Sequence, residues 1–186
     1  MFDDNRSKRI IFVAHCILNQ NSISDGTADF PSQFLEIIRI IENNHIGIVQ
    51  MPCPELMCLG LDRKDKNGAS RDVLIENTRI RNILELNIEK VNMLVKSIIP
   101  QIEEYRQYGF EIIGIIGINR SPTCGVESTS IDNKEEKGKG IFIELLLNEL
   151  VKKNIAIKAV GVKTSQVEES VNKVKELIIF SKQRKL

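Results

Sequence analysis

Apolar residues along the chain fall into two kinds of run. Short, nearly continuous runs rich in β-branched residues alternate with longer stretches whose apolar positions recur every third or fourth residue. The first kind reads as strand and the second as amphipathic helix. RIIFVAH, residues 9 to 15, is the first buried strand. A polar segment from 19 to 27 follows, with Asp25-Gly26 as a turn signal. Residues 31 to 43 predict a helix, with Pro31 in its first turn and Phe34, Ile37, Ile38 and Ile41 on one face. IGIVQM, 46 to 51, is the second strand and runs into PCPE, whose two prolines should stop any regular element. The charged segment 62 to 71, with Asn67-Gly68, reads as a surface loop.

A long helical pattern covers about 75 to 108, and Pro100 inside it should kink or split the helix. Gly109 is a stop signal, and FEIIGIIGI, 110 to 118, is a third strand apolar enough for a sheet covered on both faces. The polar stretch 132 to 140 reads as a solvated loop, followed by a helix over 141 to 153. IAIKAVGV, 155 to 162, is the fourth strand and 167 to 180 the closing helix. This alternation predicts an α/β fold: an open, mostly parallel sheet of about four strands with helices on both faces, Rossmann-like. No repeat, linker or low-complexity tract divides it, so residues 1 to 186 read as a single domain.

Charge narrows the function classes. Lys and Arg total 26 against 25 Asp and Glu, so there is no basic field for a nucleic acid polymer. The run IIFVA is too short to span a membrane, and nothing resembles a signal peptide. A cytoplasmic protein is expected, either monomer or homodimer. Its four cysteines are then ligands, nucleophiles or core residues rather than disulfide partners. Neither a P-loop nor GxGxxG follows any strand, which argues against a phosphate-binding enzyme.

The placement of the cysteines changes the picture most. Cys16, Cys53 and Cys124 each follow a predicted strand, and in a parallel sheet those loops leave from the same edge. One such cysteine would read as a packed small hydrophobe; three in that position point to a shared site. Zinc usually takes four ligands with close C-x-x-C pairs, and no such spacing occurs here. An iron–sulfur cluster on three thiolates stays open, with one iron lacking a protein ligand.

Cys16 in AHCILN, Cys53 in CPE and Cys124 in SPTCG resemble the three signature cysteines of the thiouracil desulfurase (TudS-like) family. SDG at 24 to 26, GLDR at 60 to 63 and GKG at 138 to 140 are similar to further family segments, in the same order over residues 9 to 160. Ser24 stands where the family usually has tyrosine, and Met57 and Cys58 where it favours glycine, which marks a divergent branch. The resemblance implies a [4Fe-4S] cluster on Cys16, Cys53 and Cys124. It also implies a desulfidase that replaces C=S by C=O in a small thiolated molecule, a thiolated base such as 2-thiouracil, and releases hydrosulfide. Glu55 and Ser121 match residues of the family's catalytic apparatus.

Chemistry gives these residues reasons. A soft thiocarbonyl sulfur suits a soft metal, and a carboxylate near the reacting carbon can take a proton from water. Glu55 lies two residues from Cys53; Ser121 either orients substrate or caps the next segment. Gly125 would let backbone approach the cluster. Asn19 and Asp25 read as solvated, Arg63 and Arg120 as surface ion pairs, Cys58 as a packing residue and His15 as a satisfied core histidine. Two other classes stand beside the desulfidase: a non-catalytic iron–sulfur or metal-binding protein (a redox sensor or carrier), and thiol chemistry by Cys124 with His15 or His45 as partner.

Overall fold

The structure, a computed structural model, describes residues 2–183. Its centre is a four-stranded sheet in the order β2-β1-β3-β6, built from β1 (Arg9–Val13), β2 (Gly47–Gln50), β3 (Glu111–Ile118) and β6 (Ala159–Val162). Every pairing in it is parallel. β4 (Ser128–Ile131) and β5 (Lys134–Lys137) form a separate antiparallel hairpin. The helices are α1 (His15–Leu18), α2 (Leu35–Asn43), α3 (Pro54–Leu59), α4 (Val73–Glu85), α5 (Ile88–Gln107), α6 (Ile141–Lys152) and α7 (Val167–Gln183).

The chain moves one way from β1 to β2 and the other way from β2 through β3 to β6. With right-handed crossovers, that reversal puts the connecting helices on opposite faces. Accordingly α2 packs with α7, while α3, α4 and α6 gather around α5, and β3 is touched by both α5 and α7. β3 is buried through its last six residues, as its continuous apolar run requires. On α5, Val91, Val95, Ile98 and Ile102 are buried at helical spacing, and on α7 Val174, Leu177 and Ile178. The order reverses between β1 and β3, so their carboxyl ends flank a crevice, the usual ligand position in such sheets.

Several expectations are corrected. Pro100 does not interrupt α5; it lies on the exposed face, where water can satisfy the carbonyl that loses its donor. The long helical pattern breaks instead at Leu86 and Asn87, between α4 and α5. PCPE does end the strand, since β2 stops at Gln50; Pro54 then opens α3, where its missing N–H costs no hydrogen bond. Residues 134 to 137 are a strand, because Asp132 and Asn133, with φ of 49° and 61°, form a tight reversal that pairs them with β4. The fourth sheet strand begins only at Ala159. Among the described residues no helix is long and apolar enough to cross a membrane.

Candidate functional site

Three loops at the carboxyl edge carry the cysteines. Cys16 lies in α1, immediately after β1. Cys53 is the N-cap of α3, and its Sγ accepts from the Leu56 amide at 3.4 Å. Cys124 lies in the loop after β3. All three line one cavity of about 80 Å³, several times the roughly 10–15 Å³ that one ordered water needs. All are free thiols. Cys58 is also free but does not line the cavity; it packs against the core from α3.

The Cys124 loop is built by side chains that bond its own backbone. Ser121 Oγ accepts from the amides of Thr123 (3.2 Å) and Cys124 (3.0 Å), so Ser121 acts as a loop cap. Asn119 Oδ1 accepts from Val126 (3.2 Å), Glu127 (3.1 Å) and Ser128 (3.4 Å), closing the far side. Ile118 N donates to the Cys124 carbonyl at 2.9 Å, folding the loop back over its strand. Gly140 is needed because a Cβ there would collide with the Thr123 backbone. Gly125 is needed for a similar reason, but its crowding partners are Ser128 and Ser121 of its own loop, and it does not line the cavity.

Glu55, buried in the first turn of α3, ties the loops together. Its Oε1 accepts from Thr123 Oγ1 at 2.7 Å and Ser121 Oγ at 3.4 Å. Its Oε2 accepts from Ser24 Oγ and Arg63 Nε, at 3.3 and 3.2 Å. Arg63 is not the surface residue expected: its side chain is 2% exposed. Its Nη1 donates to the Gly60 carbonyl and its Nη2 to that of Ser22, each at 2.6 Å. The ion pair lies within the segment after β2, its hydrogen bonds to Ser22 and Ser24 reach the segment after β1, and Glu55 carries the link on to the Cys124 loop.

Arg120 and Lys163 also line the cavity, and Lys163 is paired with Glu135 at 2.6 Å. Asn19 and Asp25 do not line it; Asn19 caps the short 3-10 turn Gln20–Ser22. His15 is not a satisfied core residue on a strand. It opens α1 and lines the cavity, and its buried Nε2 has no hydrogen-bond partner. Thr123, Asn119 and Ser24 are the residues the sequence did not single out for these roles. The side-chain oxygens of Thr123, inside SPTCG, and of Asn119, two residues before it, were the available signal.

Electrostatics keep the thiols neutral in the metal-free protein. Burial pushes Cys53 up to about 11, and the Glu55 charge adds to it. Burial raises Cys16 much further, with Cys53 and Glu55 reinforcing the shift. Burial also raises Cys124 well above the ordinary thiol range, helped by Cys16 and Cys53. Each thiolate thus stands near enough to raise the next one's proton affinity. Burial lowers His15, favouring its neutral imidazole.

Among the described residues, no three histidine, cysteine or acidic side chains are placed to grip one metal ion. That argues against a single-ion zinc centre. A multi-iron cluster sets a different requirement, because its thiolates bind separate irons and stand further apart. Cys16, Cys53 and Cys124 are soft, unpaired thiols lining one cavity, the type of donor such a cluster takes.

No family model matches this chain. It is 35% identical over 155 residues to the uncharacterized protein MJ0003 of Methanocaldococcus jannaschii, a match spanning 83% of this chain and 86% of the relative. The chain belongs to the family of that archaeal protein. Among solved structures, a [4Fe-4S]-dependent thiouracil desulfidase, TudS, aligns over 90% of this chain and 99% of its own. That alignment has a TM-score of 0.40 and 19% identity.

Proposed function

We propose that this protein is an iron–sulfur-dependent desulfidase acting on a small thiolated molecule, a thiolated nucleobase such as 2-thiouracil. The observation that carries the reading is that Cys16, Cys53 and Cys124, from three separate crossovers, line one cavity beside a buried carboxylate. Their motifs, in this order, are those the sequence shares with the thiouracil desulfurase family. The three thiolates would hold a [4Fe-4S] cluster. When bound, that group supplies a soft Lewis-acidic iron with an open position, able to accept sulfur.

The chain's own residues then perform the proton work. Water oxygen bonds to the thiocarbonyl carbon, the C–S bond breaks, and sulfur leaves as hydrosulfide. The exchange is a hydrolysis and needs no oxidant or reductant. Glu55 takes one proton of the water, and the other leaves on sulfur as hydrosulfide. A carboxylate offers about four acceptor sites, and Ser24, Arg63, Ser121 and Thr123 fill them. The long contact from Ser24, at 3.3 Å, is the one that yields to an incoming water. Ser121 keeps the Cys124 amide fixed while its hydroxyl proton moves between Glu55 and substrate.

The test is anaerobic loading with iron and sulfide, followed by iron analysis and a sulfide-release assay on a panel of thiolated bases. About four irons per chain and release from at least one base are expected. Loss of iron binding in Cys16→Ala, Cys53→Ala and Cys124→Ala should accompany loss of release. A loaded protein inert toward the whole panel would refute the enzyme reading, leaving a cluster carrier.

A further inference from the structure

Asn77 carries an open hydrogen-bond acceptor on the cavity wall beside the Ser121 loop. It lies in the first half of α4 and lines the cavity, as Val73 does one turn earlier. The residue is only 7% exposed. Its Nδ2 donates to Ser130 Oγ at 3.1 Å and more weakly to the Arg120 carbonyl at 3.4 Å. Ser130 Oγ gives its own proton to that carbonyl, at 2.6 Å. Both neighbours therefore present lone pairs, and only the amide nitrogen can face them, which fixes the orientation of the group. Oδ1 is thus turned away from Ser130 and Arg120, and no donor among the described residues bonds it. The unpartnered atoms shut off from solvent are Arg9 Nη2, His15 Nε2, Gln20 Oε1 and Glu36 Oε2. Asn77 Oδ1 is not one of them, so water reaches it, and the hollow that Asn77 lines is the cavity. Arg120, whose carbonyl anchors the amide, is followed directly by Ser121, which donates to Glu55. The open oxygen therefore stands next to the loop that meets the proposed base.

We propose that Asn77 is a specificity residue whose Oδ1 accepts a hydrogen bond from a ring N–H beside the C=S group of the thiolated heterocycle. The inference rests on the desulfidase reading. A cyclic thioamide carries an N–H next to the carbon that water attacks, whereas an N-alkylated ring offers no proton there. Hydrolysis turns C=S into C=O and leaves that N–H in place, so the product makes the same contact. A buried acceptor left without its donor penalises a ring that lacks it.

Wild type, Asn77→Ala and Asn77→Asp are loaded anaerobically to equal iron content. Calorimetry gives Kd for uracil, 1-methyluracil and 3-methyluracil, and sulfide release from 2-thiouracil is followed in parallel. In the wild type at least one N-methyl form should bind about tenfold more weakly than uracil. Asn77→Ala removes the acceptor and makes room for the methyl, so that ratio should fall to within about threefold. Asn77→Asp loses the same Nδ2 bonds but keeps an oxygen acceptor, so the ratio should survive. A merely structural role would move both variants alike. Equal binding of all three rings by the wild type, or an undiminished ratio in Asn77→Ala, overturns the proposal. So does a ratio lost in Asn77→Asp, which keeps the test decisive if the Ala variant does not fold. A wild type that releases sulfide from 2-thiouracil yet gives any of these results refutes the Asn77 role alone. A wild type that releases none refutes this substrate assignment and the Asn77 role with it.

Discussion

Replacing Arg63 by Met tests whether the Glu55–Arg63 pair holds the three cysteine segments in place. Met roughly matches the length of the Arg63 stem but removes every donor. Arg63 is 2% exposed and Glu55 10% at the side-chain level, so the ion pair lies out of water. The substitution deletes the bond to Glu55 Oε2 at 3.2 Å and leaves the carbonyls of Gly60 and Ser22 without their 2.6 Å partners. Breaking a buried pair from one side costs about 3–5 kcal/mol, because the remaining charge stays buried. For a chain of this size, about 2–4 °C per kcal/mol converts that to a fall in Tm of roughly 6–20 °C. The assay is thermal unfolding of the metal-free protein under argon, so that ligand binding does not mask the change. Arg63→Met combined with Glu55→Gln should cost at least about 1 kcal/mol less than the two single changes added together, because the orphaned charge is gone. A Tm shift under about 2 °C for Arg63→Met, or strict additivity in the pair, would refute the reasoning.

Other outcomes follow from the same geometry. Cys58→Ala should leave iron content unchanged, since Cys58 lies outside the cavity; iron loss in that variant would mean a fourth thiol takes part. Glu55→Gln should retain iron yet release sulfide about 10²–10⁴-fold more slowly, and near-normal turnover would remove Glu55 from the proton path. The metal-free protein should lose stability as pH rises. Cys53 titrates near 11 when folded against 9.0 unfolded, so its contribution is full below about 9 and lost toward about 11. Two units amount to about 3 kcal/mol, and a urea midpoint that stays flat or rises over that range contradicts the thiol's burial. Asn119→Ala removes the acceptor for three backbone amides and should cost about 2–5 kcal/mol, read as a lower denaturant midpoint.

What the sequence made legible is what depends on apolar periodicity. Strands β1, β3 and β6 and helices α2, α5, α6 and α7 have buried faces, and burial leaves a pattern; β2 is half-buried at Ile48 and Val49 and showed through its apolar run. The β4–β5 hairpin did not show itself because every residue of β5, Lys134–Lys137, is exposed and the strand carries no apolar alternation. A two-residue reversal at Asp132 and Asn133 and packing on α4 hold it instead. Pro100 misled because proline reads as a breaker wherever it falls, while its cost depends on whether water reaches the freed carbonyl. The clustering of Cys16, Cys53 and Cys124 was legible from topology, since parallel strands deliver their following loops to one edge. The partners of Glu55 were not. Arg63 appears in a charged stretch and Ser24 in a polar one, and nothing local distinguishes a buried guanidinium from a solvated one. Only the tertiary arrangement shows that Arg63 fills the space between two chain segments.

The dependence of the Cys124 loop on the last sheet strand has a consequence for biogenesis. Asn119 N donates to the Val162 carbonyl at 2.9 Å, and Asn119 Nδ2 reaches the Gly161 carbonyl at 3.3 Å. The final thiol is thus steadied by residues that leave the ribosome almost forty positions later. A nascent chain therefore lacks the finished nest until Gly161 and Val162 have been made and have joined the sheet, so the Cys124 loop is the last part of this edge to set.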